Sequence, residues 1–274
     1  MKHAAASLAV LFAAALGAGG WVFWLPDVRP LKKQPPATTA YIELRRAQAL
    51  RAGKRLDLRW NWVPDERISE HLKMAVITAE DDEFWRHDGV DWNALRAAWE
   101  KVRKARRFEA GGSTITMQLA RNLYLSPSKN PLRKAKEILI ARRLERDLSK
   151  ARILELYLNT VEWGKGIFGC EAAAQSYFAK PCADLSPDES VAMAVVLPNP
   201  RRWDPAKRGP YVERNSRRII GRMAASGWWS TELDNDGTTI IDAPLSDETV
   251  ITSTDSLEGA QIKKSTEEDA FSLP

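Results

Sequence analysis

Ala79-Glu80-Asp81-Asp82-Glu83-Phe84-Trp85-Arg86-His87-Asp88-Gly89 is the stretch on which the reading of this chain turns. It ends an apolar helical pattern with four consecutive carboxylates, then sets two aromatics, an arginine and a histidine beside them. A solvated helix face spaces its charges out and keeps large aromatics away. A cleft with acidic groups on partly apolar walls interleaves the two. The same residues also read as a polar helix end and turn, with Phe84 and Trp85 dipping into a core. The stretch alone does not separate the two readings; the surrounding chain does.

Upstream, Ser69 stands as N-cap to a helix carrying Leu72, Ala75, Val76 and Ala79 on one face, at spacings of three and four. Glu80 then falls at the helix C-terminus, where the negative end of the macrodipole disfavours ionisation and raises the pKa. Downstream, Asp91 caps a helix with Trp92, Leu95, Trp99 and Val102 as its apolar stripe and a basic end at Arg106 and Arg107. Gly111-Gly112 breaks the chain, and Ser113 caps a helix to about residue 125 with Ile115, Leu119 and Leu123 inward. Asn130 followed by Pro131 is a cap with proline at the first helical position, opening a helix to about residue 148. Ser149 starts another over 150–159, with Ile153, Leu156 and Tyr157 as core. Further helices are predicted over 42–50, 171–178 and 211–225, and after the capping box Ser186-Pro187-Asp188-Glu189. Period-two strands are scarce, so the expected fold is all-α, over residues 41–230.

The flanks differ from this body. Residues 4–25 carry no charge over 22 positions, enough at about 1.5 Å per residue to cross a hydrocarbon core of about 30 Å. Trp21 and Trp24 lie at its outer end, where indoles prefer the interface. The run is longer than a signal-peptide core and has no polar start after its small residues, so residues 1–25 are expected to be an uncleaved transmembrane anchor. Residues 26–40, with four prolines, form a linker. Residues 231–274 hold eleven acidic and two basic residues, a net of −9, and read as an acidic disordered tail. The total is +5, so the rest of the chain carries +14 and faces a polyanionic partner. The anchor places that basic surface outside the cytoplasm, on the inner membrane, which argues against nucleic acid. Cys170 and Cys182 read equally as a disulfide in an exported domain and as two small buried residues.

Three further segments have chemical content. Gly111-Gly112-Ser113-Thr114 before a hydroxyl-rich helix offers free backbone N–H groups to phosphate or sugar hydroxyls, although alone it is a capped turn. Arg133 and Glu137, one turn apart with Lys134 beside them, place a carboxylate among cations; alone they are a surface ion pair. Residues 150–159 form an amphipathic helix. In their order and spacing these segments resemble the peptidoglycan glycosyltransferases of glycosyltransferase family 51, in its monofunctional branch. Glu80 to Gly89 is similar to the first family motif, Gly112-Ser-Thr-Ile-Thr-Met-Gln118-Leu-Ala-Arg121-Asn122 to the second, Arg133 to Glu137 to the third and Lys150 to Asn159 to the fourth. Gly169 to Gln175 and Val195 to Trp203 extend the likeness, which spans residues 65–225. Met117 stands where glutamine is usual and Arg121 where lysine is common, changes that bear on substrate contacts.

The resemblance implies a lysozyme-like helical fold with a single membrane anchor and a periplasmic cleft that polymerises lipid II with inversion, the growing glycan chain being the donor. It implies Glu80 as the general base and Glu137 as the carboxylate assisting pyrophosphate departure, directly, through water or through Mg²⁺ or Mn²⁺. Arg121, Arg133 and Lys134 would neutralise the diphosphate; Thr114, Gln118 and Asn122 would line the donor side. Asp81, Phe84 and His87 join the candidate substrate-binding set, with a second reading in which Asp81 supports Glu80 while Phe84 and His87 shape the turn. A lytic transglycosylase or muramidase on a related fold, and a tethered scaffold for cell-division or elongation proteins, are the alternatives. Ser126-Pro-Ser-Lys129 matches a transpeptidase pattern but lacks its companion motifs and the chain length for that domain.

Overall fold

The computed structural model describes residues 17, 19–21, 24–105, 112–128, 130–227, 231–233 and 239–241, without the side chains of residues 99, 101, 102, 104, 105 or of the last two segments. The expected anchor therefore lies mostly outside the described residues, as do Arg106, Arg107, Gly111, Lys129 and most of the acidic tail. Among the described residues no helix is long and apolar enough to cross a membrane.

The body is mostly helical, as the periodicity predicts. Thr39 caps α1 (Ala40–Arg51) by accepting the Ile42 N–H, and β1 (Arg59–Trp60) follows. α2 (Glu70–Glu80) buries Leu72, Ala75, Val76 and Ile77 and packs against two later helices, α8 (Pro187–Val196) and α9 (Pro210–Ala225). Between them lie α3 (Trp92–Ala105), α4 (Ile115–Tyr124), α5 (Pro131–Asp147), α6 (Lys150–Thr160) and α7 (Cys170–Phe178). α4 packs on both α5 and α6, so Ile115, Leu119, Ile140, Leu144, Ile153 and Leu156 close into one continuous core. Most caps follow the sequence rules: Asp91 Oδ1 accepts the Ala94 N–H, Asn130 and Ser149 cap α5 and α6, and the capping box at Ser186 is fully formed.

Three local expectations need correction. Ser69 occupies the N-cap position of α2, but its hydroxyl donates to the Leu185 carbonyl, joining the head of that helix to a distant turn. α4 is capped by Thr114 rather than Ser113, because Thr114 Oγ1 accepts the Met117 N–H while Ser113 Oγ accepts from Lys134 Nζ. Trp92, placed inward by the α3 stripe, is 59% exposed, since no element covers the start of that helix; Leu95, one turn on, does pack against the core.

A small sheet was not foreseen. β2 (Glu162–Gly164) pairs antiparallel with β3 (Ile167–Phe168), and β1 joins β3 in parallel, giving the order β1-β3-β2. Strands of two or three residues are too short for alternation to register in sequence. Within the expected disordered tail, Thr231–Leu233 and Thr239–Ile241 pair antiparallel as β4 and β5.

Asn159 holds this sheet to the helical body. Fully buried at the end of α6, it accepts the Val63 N–H and donates to the carbonyls of Val63 and Glu155, while its own carbonyl accepts the Trp60 indole N–H at 2.7 Å. Gly169, at φ +79°, lets the chain pass so close to the Asn159 carbonyl that a Cβ there would lie 2.8 Å from its oxygen. Removing the Asn159 amide strands buried backbone groups, each worth about 1–3 kcal/mol when unsatisfied. Asn159→Ala is therefore expected to lower unfolding free energy by about 2–4 kcal/mol, read from the urea midpoint.

Candidate active site

Glu80 is the last residue of α2, and Asp81 leaves the helix at φ −165°, so the two neighbouring carboxylates face different surroundings. Asp81 turns inward. Its Oδ2 accepts the Ile115 N–H at 2.8 Å, at the N-terminus of α4, and both its oxygens lie 3.0 Å from His87 Nε2. The Gly89 N–H donates to His87 Nδ1, which makes Nε2 the protonated nitrogen and Asp81 its acceptor. Both side chains are under a tenth exposed.

The rest of the turn is locked in the same way. Phe84 is fully buried, and Lys150 Nζ sits 4.6 Å from its ring centre while donating to the His87 carbonyl and to Glu145. Glu145 also accepts the Thr116 hydroxyl at 2.6 Å. Gly89, at φ +85°, lies where a Cβ would meet Glu145 Cγ at 2.8 Å and the Ala141 carbonyl at 3.2 Å. Thr114, also buried, donates to the Gly89 carbonyl at 2.7 Å.

This placement accords with the second reading of Asp81, Phe84 and His87, as residues that support Glu80 and shape the turn, and Thr114 joins them. They are buried and engaged with the protein, and they form the scaffold that joins the first motif to α4. Asn122 is buried on the same helix. Met117 is fully buried in the core and offers no surface to substrate. Asp82 and Glu83 are exposed, paired with Arg222 and Arg86.

Glu80 remains half-buried and differently equipped. Its Oε2 accepts from Gln118 Nε2 at 2.7 Å, and Gln118 Oε1 in turn accepts the Tyr157 hydroxyl at 3.1 Å. Among the described residues no hydrogen bond is made to Oε1. Burial raises the Glu80 pKa above the usual carboxylate range; the Gln118 hydrogen bond and the Arg121 charge oppose it, and Asp81 adds to it. The direction expected from the helix end thus holds, with desolvation as the larger cause. Tyr157 is fully buried, and burial together with the Glu80 charge pushes its pKa well above the ordinary value, so it stays a proton donor. Sequence reading took Tyr157 for core alone. Its hydroxyl's partner lies on another helix and leaves no mark in the local pattern.

The second carboxylate, Glu137, is fully buried on α5 and accepts from Arg133 NH1 and, at 2.6 Å, from Lys134 Nζ. Lys134 also donates to Ser113 Oγ at 2.9 Å. Burial lowers the Lys134 pKa, the Glu137 carboxylate raises it, and the charges of Arg121 and Arg133 lower it further. Arg121 is close enough to act electrostatically on both Glu80 and Lys134, and its buried Nε has no hydrogen-bond partner among the described residues. Structure thus gathers Glu80, Gln118 and Arg121 on one side and Glu137, Arg133 and Lys134 on the other. One side holds a carboxylate of raised pKa with a free oxygen. The other is a cationic pair, Arg133 and Lys134, around one acid.

Such a pair of environments on a helical domain suits glycosyl transfer to a hydroxyl with an anionic leaving group. A family model described as Transglycosylase matches residues 49–224. The chain is 53% identical over 188 residues to a biosynthetic peptidoglycan transglycosylase of Aromatoleum aromaticum, covering 69% of this chain and 81% of that protein. It is 46% identical over 205 residues to one from an Azoarcus species, covering 74% and 88%. A third, of Nitrosomonas eutropha, is 45% identical over 188 residues, covering 69% and 77%. The chain belongs to the transglycosylase family, an enzyme of peptidoglycan glycosyl transfer.

The Tyr157–Gln118–Glu80 chain has a measurable consequence. The Gln118 N–H stabilises the charged form of Glu80, so Gln118→Ala should raise the pKa of the base. The acidic limb of kcat/KM is then expected to move to higher pH. Tyr157→Phe, which releases the Gln118 amide to turn its carbonyl toward Glu80, should move it the same way. An unchanged limb in both variants would remove Glu80 as the titrating base.

Proposed function

We propose that this enzyme extends glycan strands from lipid II at the outer face of the cytoplasmic membrane. Glu80 Oε1 takes the proton of the acceptor's sugar 4-hydroxyl as that oxygen attacks C1 of the donor sugar. The bond from C1 to the undecaprenyl pyrophosphate breaks on the opposite side, with inversion. The raised pKa suits Glu80 to this task, since a base near the working pH captures a proton most effectively. Arg121, Arg133 and Lys134 take up the negative charge that grows on the diphosphate. Glu137 holds Arg133 and Lys134 in place, and an arriving diphosphate adds the anionic charge that offsets their mutual repulsion.

The observation that carries the reading is this pair of cations around the buried Glu137, set off from the protonatable carboxylate of Glu80. A lytic enzyme cutting between sugars expels no anionic leaving group and has no need of it. Mg²⁺ or Mn²⁺ fits the residues poorly. Both Glu137 oxygens are already held by cations, and among the described residues no group of three or more acidic, histidine or cysteine side chains could hold an ion. No step is assigned to a metal.

The membrane reading rests on the apolar run of residues 4–25 and on the contacts made at its outer end. Lys136 Nζ donates to the Trp21 carbonyl and lies 4.1 Å from its ring centre, and Trp24 is 81% exposed. This brings the end of the run onto α5, beside the cationic cluster, where a lipid-borne pyrophosphate would arrive.

Glu80→Gln is expected to lower lipid II polymerisation by at least about 10²–10⁴-fold, the usual worth of a general base. Turnover within about tenfold of wild type would sink the assignment. Proton linkage supplies a second readout. A carboxylate whose folded pKa is raised contributes stability at low pH that is lost as pH rises through that folded value. The Glu80→Gln variant, neutral at this position, should therefore have a Tm at neutral pH no lower than wild type. Glu137→Gln should keep the acidic limb of the pH profile in place while lowering kcat, because it disturbs the leaving-group side only.

A further inference from the structure

Cys170 and Cys182 are the two cysteines of the chain, and neither belongs to the site around Glu80 and Glu137. Both are free thiols and fully buried. Cys170 begins α7, and Cys182 begins a short 3-10 turn, Cys182–Asp184, that packs on that helix. The Glu171 carboxylate accepts the Cys182 N–H at 2.8 Å, which clamps the backbone of the turn beside the first residues of α7. Between these anchor points the chain reverses through Ala179, held in the left-handed region at φ 55°. The Cys182 side chain is close enough to act on the Cys170 thiol. Burial, and then the neighbouring Cys182 thiol, push Cys170 well above the ordinary thiol range.

We propose that Cys170 and Cys182 are joined as a disulfide in the mature protein, a covalent staple between α7 and the turn after it. Two buried thiols could serve only as small apolar filler. Their mutual contact, the clamped backbone beside it and the absence of a third cysteine select one intramolecular bond. The inference rests on the reading that this domain works outside the cytoplasm, where disulfides persist.

The chemistry is thiol–disulfide exchange with a protein or small-molecule disulfide as oxidant. One cysteine thiolate attacks the oxidant, forming a mixed disulfide and releasing one thiol. The second thiolate attacks the mixed disulfide at its protein sulfur, closes the Cys170–Cys182 bond and releases the second thiol. The two electrons and two protons lost by the cysteines leave with the reduced oxidant. Exchange belongs to the folding chain, because thiols held protonated in the core are poor nucleophiles and out of reach.

The staple braces the platform beneath the proposed base. The turn that starts at Cys182 ends at Leu185, whose carbonyl accepts the Ser69 hydroxyl at the head of α2, and α2 carries Glu80 at its other end. The bond should therefore act on stability far more than on turnover.

The test uses the full-length protein extracted from membranes without reductant, unfolded in excess alkylating reagent and digested for mass mapping. The expected result is a peptide pair linked through positions 170 and 182 with neither cysteine alkylated. Reduction of the unfolded protein first should make both alkylatable. Quantitative alkylation of both cysteines without reductant would overturn the proposal. The double variant Cys170→Ala with Cys182→Ala should lose roughly 5–10 °C in Tm, as expected for the loss of a short-loop staple. An unchanged Tm would equally count against the staple. Protease accessibility in spheroplasts reads the location separately. A protected domain would refute the extracytoplasmic reading, whereas an accessible domain with alkylated cysteines would refute only the disulfide.

Discussion

The carboxylate of Asp81 is the joint on which the site depends. It terminates α2 and at the same time accepts the first N–H of α4, where the positive end of a helix dipole favours a negative group. His87 supplies the remaining donor. With that joint made, the C-terminus of α2 meets the N-terminal turn of α4, and Gln118, one turn along, comes within hydrogen-bond reach of Glu80. Lys150 and Glu145 brace the far side of the same turn from α5 and α6. Separated segments of the chain thus converge on the turn that this buried acid anchors.

The consequence is a division of labour between neighbouring carboxylates. Asp81 is saturated with donors and Glu80 is left with one, so burial acts on Glu80 with little compensation and raises its pKa. Glu137 is treated in a third way, enclosed by Arg133 and Lys134. The arrangement has a cost in stability. A desolvated carboxylate, a lysine depressed by burial and by two arginines, and an arginine Nε without a partner among the described residues are all less favourable than their solvated or fully paired counterparts.

Much of this was readable from residues alone. The helices, their proline and asparagine caps and the capping box at Ser186 all express local rules acting over a few residues. The order and spacing of the four motif segments carried the family resemblance, and that resemblance singled out Glu80 and Glu137 from a chain rich in acids. Less was visible in the roles within each motif. Phe84, His87 and Thr114 look like contact residues in sequence because they flank the acids, yet their side chains are spent on the turn. Tyr157 was invisible as a member of the site because its partner is 39 positions away. The three-stranded sheet was missed because its strands are two or three residues long, and one of them, β1, pairs with a segment far away in sequence.

The sequence by itself determined the helical class and most of the caps, since these follow from periodicity and side-chain chemistry along one segment; the two carboxylates were singled out by the family resemblance of the motifs that carry them. The opening stretch combines a half-buried carboxylate at Glu80 with a turn held by the buried Asp81, Phe84 and Gly89. Only the tertiary structure decided which residue was which. Burial and hydrogen-bond partners across helices set whether a carboxylate is a base, a cap or a counter-charge, and those partners are neighbours in space alone.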